Sequence, residues 1–257
     1  MKSGCFGNTC EETFEGDSAE EVADAFVAHV AAAHDWPVPE EALRNYARNF
    51  AEAGERLAGA ATERVPEIGI IEVHPVTEDR IDDWLAFFDR DGFAGNPEWA
   101  SCYCLENHDP APEEMPERLW SHNRSAMAER LRTGTARGYL AYVDGITAGW
   151  VNASRRADYT LDLIGEPDGI DPSSVVGVSC FVISPPYRRH GVAAALLDHV
   201  IGTARERGVS WVEGYPRTEP EDNDAGHFRG PKAMYDAKGF ETVKVRERDT
   251  VMRRQVI

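Results

Sequence analysis

One continuous apolar run, Val175 to Ile183, constrains the fold more than any other part of the 257-residue chain. Such a run without alternation is typical of a central strand that is buried on both faces. Two prolines then turn the chain, and Gly191 opens a helix that extends to Arg207 and ends at Gly208. Free N–H groups at a helix start carry a positive partial charge, and Arg188 and Arg189 lie just before them. This strand–turn–helix unit therefore predicts a phosphate-binding site.

Strands and helices alternate from about residue 68 onward, which predicts an α/β fold, more narrowly α+β. Further strands are predicted at 68–74, 139–143, 147–153, 209–215, 242–246 and 251–256. Helices are predicted at 77–88, at about 123–132 and from Pro231 to about Lys238. The first 60 residues predict two helices, at about 18–36 and 40–57, and Ser18-x-x-Glu21 forms a capping box at the start of the first.

The charge balance excludes several classes of partner. The chain has 27 basic and 45 acidic residues, and its net charge is −18. A surface this acidic repels phosphate backbones and anionic lipids, so neither a nucleic acid nor a membrane is expected as a partner. No run approaches the roughly 18 apolar residues of a membrane span, and the N-terminus has no apolar stretch typical of a signal peptide. We therefore expect a cytoplasmic protein.

Two motifs relate the second part of the chain to a known family. Arg188-Arg-His-Gly191-Val-Ala193 fits the pattern (Arg or Gln)-x-x-Gly-x-(Gly or Ala), with alanine in place of the commoner final glycine. Tyr235-x-x-x-Gly239-Phe240 follows in the expected order. With these motifs, residues from about 68 to 257 resemble the Gcn5-related N-acetyltransferases (GNAT). The resemblance implies a central mixed, mostly antiparallel sheet flanked by helices. The alternative is an α/β domain in which Gly191 merely caps a helix.

The resemblance also implies an activity and the residues that perform it. The activity is direct transfer of an acetyl group from acetyl-CoA to an amine, without an enzyme nucleophile. The residues implied to bind acetyl-CoA are Phe181, Val182, Ile183, Arg188, Arg189, His190, Gly191, Val192, Ala193 and Ala194. Glu213 would act as the general base, and Tyr235 as the general acid that protonates the CoA thiolate. The alternatives are a solvated Glu213 at a strand end and a Tyr235 that only packs.

Five cysteines, an odd number, argue against a disulfide framework in a chain without a signal peptide. Cys180 lies on the predicted central strand and is expected to be a core residue. Cys102 and Cys104 lie in a loop that, by the resemblance, often lines the acceptor site. If this loop is extended, both thiols project to one side, where they could bind a metal or react with oxidants. Since few other ligands are near, a buried or acceptor-lining pair is the preferred interpretation.

The N-terminal segment contains a possible metal-ligand set, Cys5-x4-Cys10 followed by His29-x4-His34. Two thiolates and two imidazoles suit tetrahedral Zn²⁺, and the segment resembles a family of small predicted metal-binding proteins. The alternative is that the cysteines are free and the histidines unpaired. The expected domains are a small Cys2His2 zinc-binding module at 1–60, a linker at 61–67 and a GNAT-type domain at 68–257.

Two functions of different classes follow from these patterns. The first is an acetyl-CoA-dependent N-acetyltransferase whose partners are acetyl-CoA and a primary amine of a small molecule or a protein. The second is a regulatory protein that senses a metal or an acyl-CoA with little turnover. Neither the acceptor nor the oligomeric state follows from the sequence, and a homodimer is left open.

Overall fold

The strands form one seven-stranded sheet in a computed structural model, which describes residues 12–165, 168–219, 223 and 225–256. In chain order the strands are β1 Ile71–Pro75, β2 Gly138–Val143, β3 Ile146–Arg155, β4 Val175–Ile183, β5 Trp211–Gly214, β6 Glu241–Val245 and β7 Thr250–Gln255. Their spatial order is β1-β2-β3-β4-β5-β7-β6. Every neighbouring pair is antiparallel except β4 and β5, which run parallel. The expected mixed, mostly antiparallel sheet is thereby confirmed.

Helices cover both faces of this sheet. They are α1 Ala19–Ala33, α2 Glu40–Arg56, α3 Ile81–Ala86, α4 Trp120–Thr133, α5 Leu161–Ile164, α6 Val192–Ala204 and α7 Lys232–Ala237. The predicted helix at 77–88 is instead a 3₁₀ turn, the short helix α3 and a wider π turn over Phe87–Asp91. Phe87 and Phe88, at the start of this π turn, are both buried in the core. In the described part of the chain, no helix is long and apolar enough to cross a membrane.

The core divides into two layers because side chains of the central strands alternate between the faces. On one face Trp150 packs with Trp84 and Phe88 from the region of α3. On the other face Val151 packs with Leu196 and other apolar residues of α6. Complete burial of each large apolar side chain contributes about 1.5–3 kcal/mol. These two layers fix β4 and the start of α6 relative to each other.

The N-terminal helices pack as an antiparallel pair. The Ser18 hydroxyl accepts a hydrogen bond from Glu21 N–H at 3.2 Å, so the predicted helix cap is confirmed. Asn45 and Asn49 lie on another face of α2 and bond the backbone carbonyls of Glu117 and Arg118. Helix α2 therefore packs on the sheet-containing part as well as on α1. The proposed boundaries at 60 and 68 stay predictions.

Candidate active site

A cavity of about 480 Å³ opens where β4 ends and α6 begins. Beyond Val178 of β4 and Gly214 of β5, the parallel pairing stops, and the two strands no longer share a ladder. Ser184 N–H donates to Ala148 O on the β3 side at 3.0 Å. Because ladder groups alternate along a strand, the N–H groups of Ile183 and Phe181 face the other way, toward the cavity. Phe181 N–H is bonded to Phe228 O, so the end of β4 presents the N–H of Ile183 to the cavity, which Val182 also lines.

The start of α6 supplies further backbone donors. Ala195 N–H makes a helix bond to Gly191 O, so the N–H groups of Val192, Ala193 and Ala194 precede the helix ladder. All four residues from Gly191 to Ala194 line the cavity. Gly191 caps the helix in the left-handed region, with φ 83°, and a Cβ built there would meet nothing within 4 Å. This end of the cavity is therefore open, positively polarised and suited to an anionic group.

Of the three residues with nitrogen-containing side chains before Gly191, Arg188 and His190 bond other parts of the chain. Arg188 bonds Ile183 O through Nε at 3.0 Å and Asn96 Oδ1 through Nη2 at 3.2 Å. His190 Nε2 lies 2.8 Å from Val65 O and outside the cavity lining, so its ring contacts the predicted linker segment. Arg189 is exposed beside the cavity. Of the three, Arg189 is best placed to meet an anion that enters from solvent.

A segment far along the chain, Phe228–Gly230, lies beside the end of β4 and lines the cavity. Phe228 O accepts a hydrogen bond from Phe181 N–H at 2.6 Å. Arg229 forms an ion pair with Asp249 at 3.1 Å, which fixes the segment from the other side. The sequence predictions did not include this segment among the site residues. Its glycine–proline pair, Gly230-Pro231, marks a turn before α7 and was the available signal.

Tyr235 lies behind this segment and does not line the cavity. Its side chain is completely buried, and its hydroxyl donates to Arg229 O at 2.8 Å. Burial raises the pKa of the Tyr235 hydroxyl well above its usual value. The contacts therefore favour a role in positioning Arg229, while the acid role stays a prediction.

Glu213 is buried in a charged cluster on β5 and also lies outside the cavity lining. Arg253 Nε donates to its Oε2 at 2.7 Å, and Tyr215 OH donates to its Oε1 at 2.8 Å. Arg156 lies 3.4 Å from the same carboxylate. Because both oxygens are occupied by these donors, the contacts favour a structural role. The role of Glu213 as a base stays a prediction.

The opposite end of the cavity is formed by aromatic and sulfur-containing side chains. The rings of Trp99 and Phe228 lie 6.0 Å apart, and Trp99 is one of the more exposed large apolar residues at 39%. Cys102, Cys104 and Cys180 line the same end. The predictions that Cys180 is a core residue and that Cys102 and Cys104 are buried or acceptor-lining agree with this placement, since Cys180 is both buried and in contact with the cavity.

The predicted metal ligands are only partly visible. His29 and His34 come together, with their Nε2 atoms 3.2 Å apart. Cys5 and Cys10 lie outside the described residues. Among the residues that are described, no group of three or more metal-ligating side chains converges.

Comparison with known proteins identifies a family model. The model of the acetyltransferase (GNAT) family matches residues 98–227. No curated protein matches the chain.

Several solved structures are similar to part of the chain. An acetyltransferase of the GNAT family from Streptococcus pneumoniae is 14% identical over 73% of this chain and 100% of that chain, with a TM-score of 0.44. The PaiA N-acetyltransferase from Thermoplasma acidophilum, in complex with coenzyme A, is 12% identical over 72% of this chain and 100% of that chain, with a TM-score of 0.44. The GNAT domain of S. lividans PAT is 17% identical over 73% of this chain and 91% of that chain, with a TM-score of 0.46.

Proposed function

The chain belongs to the acetyltransferase (GNAT) family, and on this premise we propose that it transfers an acetyl group from acetyl-CoA to a primary amine. The observation that carries the proposal is the cavity between β4 and α6, where three N–H groups of Val192, Ala193 and Ala194 precede the helix ladder. These donors and Arg189 would hold the pyrophosphate of acetyl-CoA. The open space above Gly191 leaves room for that group to approach the backbone.

The chemistry of the proposal needs few protein groups. The amine nitrogen attacks the thioester carbonyl carbon, the C–S bond breaks, and the CoA sulfur leaves with a proton. A backbone N–H that faces the cavity stabilises the oxygen that becomes negative during attack. Ile183 N–H is the proposed donor, because Phe181 N–H already bonds Phe228 O. The end with Trp99, Cys102 and Glu106 would receive the acceptor, whose identity is open.

A matched pair of glycine substitutions tests the acetyl-CoA site. Gly191 and Gly208 lie just before and just after α6, both have left-handed φ angles, and both have open space around a built Cβ. Tryptophan at either position therefore meets the same backbone penalty, about 1–2 kcal/mol. Only Gly191 lines the cavity. We expect Gly191→Trp to abolish acetyl-CoA binding in calorimetry and Gly208→Trp to retain it. Equal affinity in the two variants would remove the assignment.

A second candidate, a protein that binds acyl-CoA with little turnover, is favoured by one observation. Neither Tyr235 nor Glu213, the predicted acid and base, lines the cavity. Turnover separates the two candidates, because an acetyltransferase releases CoA thiol when a suitable amine is present. Acetyl-CoA binding without thiol release across a library of small amines and lysine peptides would support the second candidate.

We further propose that the N-terminal segment binds zinc through Cys5, Cys10, His29 and His34. Two imidazoles on one tetrahedral Zn²⁺, each at 2.0–2.1 Å, place their nitrogens about 3.3 Å apart. The Nε2 atoms of His29 and His34 lie 3.2 Å apart, which fits that arrangement. Elemental analysis of the purified chain should find about one zinc per chain for a four-ligand site. His29→Gln/His34→Gln should lose it and Cys102→Ser should keep it, whereas zinc retained by the double variant would refute the site.

A further inference from the structure

Three thiols meet at one wall of the cavity. Cys104 Sγ donates to Cys180 Sγ at 3.1 Å, although the two residues are 76 positions apart in the chain. Cys104 and Cys180 are 2% and 6% exposed, and Cys102 is half-buried. All three line the cavity. The thiols thus form a row that begins at the more accessible Cys102 and ends on strand β4.

The loop that carries Cys102 and Cys104 is held in place. Tyr103 is completely buried, and its hydroxyl donates to Asp89 Oδ1 at 2.7 Å. Tyr103 and Cys104 both adopt left-handed backbone angles, φ 45° and 55°. The loop is therefore not extended here, and the side chains of Cys102 and Cys104 are not arranged as in a strand. The contact between Cys104 and Cys180 is therefore built into the packing around Tyr103.

The three thiols differ in reactivity. Cys102 is the most accessible of the three, and its interaction with Cys104 lowers the pKa of the Cys102 thiol, so Cys102 is the thiol that a peroxide reaches first. The hydrogen bonds with Cys102 and Cys180, together with burial, raise the pKa of Cys104 well above its usual value. The Sγ atoms of Cys104 and Cys180 lie 3.1 Å apart, and this close approach favours oxidation of the pair to a disulfide.

We propose that Cys104 and Cys180 form a reversible disulfide when a hydroperoxide enters the cavity. The Cys102 thiolate first attacks the peroxide, the O–O bond breaks, and Cys102 becomes a sulfenic acid. The other oxygen leaves with a proton, as water from hydrogen peroxide or as an alcohol from an organic hydroperoxide. The Cys104 thiol then condenses with that sulfenic acid, forming a transient Cys102–Cys104 disulfide and a molecule of water. Finally the Cys180 thiol gives up its proton and its sulfur attacks Cys104 Sγ. The Cys102–Cys104 bond breaks, and Cys102 leaves as a thiolate that takes up this proton.

We expect the disulfide to affect ligand binding in the cavity. This coupling rests on the proposed acetyl-CoA site. The S–S separation must shorten from 3.1 Å to about 2.05 Å, which pulls the loop of Cys104 toward β4. Cys180 directly precedes Phe181, whose N–H is bonded to Phe228 O. Oxidation therefore changes the strand end that would hold acetyl-CoA. In return, acetyl-CoA bound along β4 would occupy the cavity that all three thiols line and would restrict the entry of peroxide.

Peptide mapping of the full-length chain tests the disulfide directly. The reduced protein is treated with hydrogen peroxide, free thiols are alkylated, and the protein is digested with trypsin without reduction. Cys102 and Cys104 share the tryptic peptide 91–118, and Cys180 lies in 157–188. We expect these peptides to be joined, with two hydrogens lost and the alkyl group on Cys102. Dithiothreitol should separate them. A final link between Cys102 and Cys104 with Cys180 alkylated, or over-oxidised Cys102 without any link, would overturn the proposal.

Two further arms give the mechanism its own test. Cys102→Ala should slow formation of the link, because the peroxide-reactive thiol is missing, whereas an unchanged rate would refute the role of Cys102. Saturating acetyl-CoA should suppress the link, and the oxidised protein should bind acetyl-CoA at least about tenfold more weakly, within the usual range for two coupled sites. If the disulfide forms but the reduced protein does not bind acetyl-CoA, the proposed function is refuted and the disulfide is confirmed. If the oxidised and reduced proteins bind acetyl-CoA with the same affinity, the coupling is refuted.

Discussion

The substitution Tyr235→Phe removes one hydroxyl. It tests whether Tyr235 positions the segment Phe228–Gly230. The Tyr235 ring fills the space beside two glycines, since a Cβ on Gly214 would lie 2.2 Å from the ring and one on Gly230 would lie 3.1 Å from it. Phenylalanine keeps that ring and its packing. The substitution therefore removes only the hydrogen bond from the hydroxyl to Arg229 O.

The magnitude follows from the burial of that bond. Tyr235 is 0% exposed and its bond to Arg229 O is partly buried, so the substitution leaves Arg229 O without this donor. An unsatisfied acceptor that is fully buried costs about 1–3 kcal/mol, so the loss here should be at most that size, a melting temperature lowered by at most about 12 °C in a chain of this length. Tyr142→Phe is the control, because its hydroxyl bonds the exposed Asp83 at 2.7 Å and water can replace it. Its stability loss should be smaller.

Kinetics of the same variant distinguish the two roles of Tyr235. If Tyr235 positions the Phe228–Gly230 segment, KM for acetyl-CoA should rise as the segment loosens. If Tyr235 instead donates the proton, kcat should fall at least about tenfold with KM nearly unchanged, the pattern of an interaction made in the transition state. An unchanged melting temperature together with unchanged kinetics would refute both the hydrogen bond and the acid.

The sequence predicted the strand–turn–helix unit well because each of its signals is local. Burial on both faces makes Val175–Ile183 uniformly apolar, and the observed strand β4 has those same bounds. Gly191 is needed at a left-handed helix cap, which is a property of its own backbone. The sequence also grouped His29 and His34 as ligands, and they lie close together because His34 is the extended C-cap that follows α1; the zinc site itself stays a prediction.

The contact partners of the predicted catalytic residues could not be predicted from local sequence patterns. Glu213 was placed on a strand, but its bonds to Arg253 and Arg156 depend on sheet order and on a loop distant in sequence. The contact between Phe181 N–H and Phe228 O likewise joins segments without any local pattern. The row of thiols forms because the loop with Cys102 and Cys104 packs against β4 and has a left-handed backbone at Tyr103 and Cys104, and neither feature follows from a local pattern. Long-range pairing, rather than residue type, decides these roles.

Two more predictions concern buried polar groups. Glu213 and Asp168 together balance the buried charges of Arg253 and Arg156. Glu213→Gln leaves only Asp168 for the two arginines, so it should destabilise the fold by up to about 3–5 kcal/mol in urea unfolding. Lys232→Gln, at an exposed helix pair, should change the stability by at most about 0.5 kcal/mol. A displaced acidic limb of the pH–rate profile without loss of stability would instead identify Glu213 as the base. His108 is 8% exposed, and its Nδ1 lies 2.9 Å from Asp158 O. Burial lowers the pKa of His108 in the folded state. Below about pH 6.5, His108 therefore binds a proton in the unfolded chain more readily than in the folded chain. Stability should therefore fall as the pH drops through that value. His108→Gln, compared with the wild type at pH 8 and pH 5, should remove this part of the slope, and an identical slope in both proteins would show that His108 is protonated equally in the folded and unfolded chain.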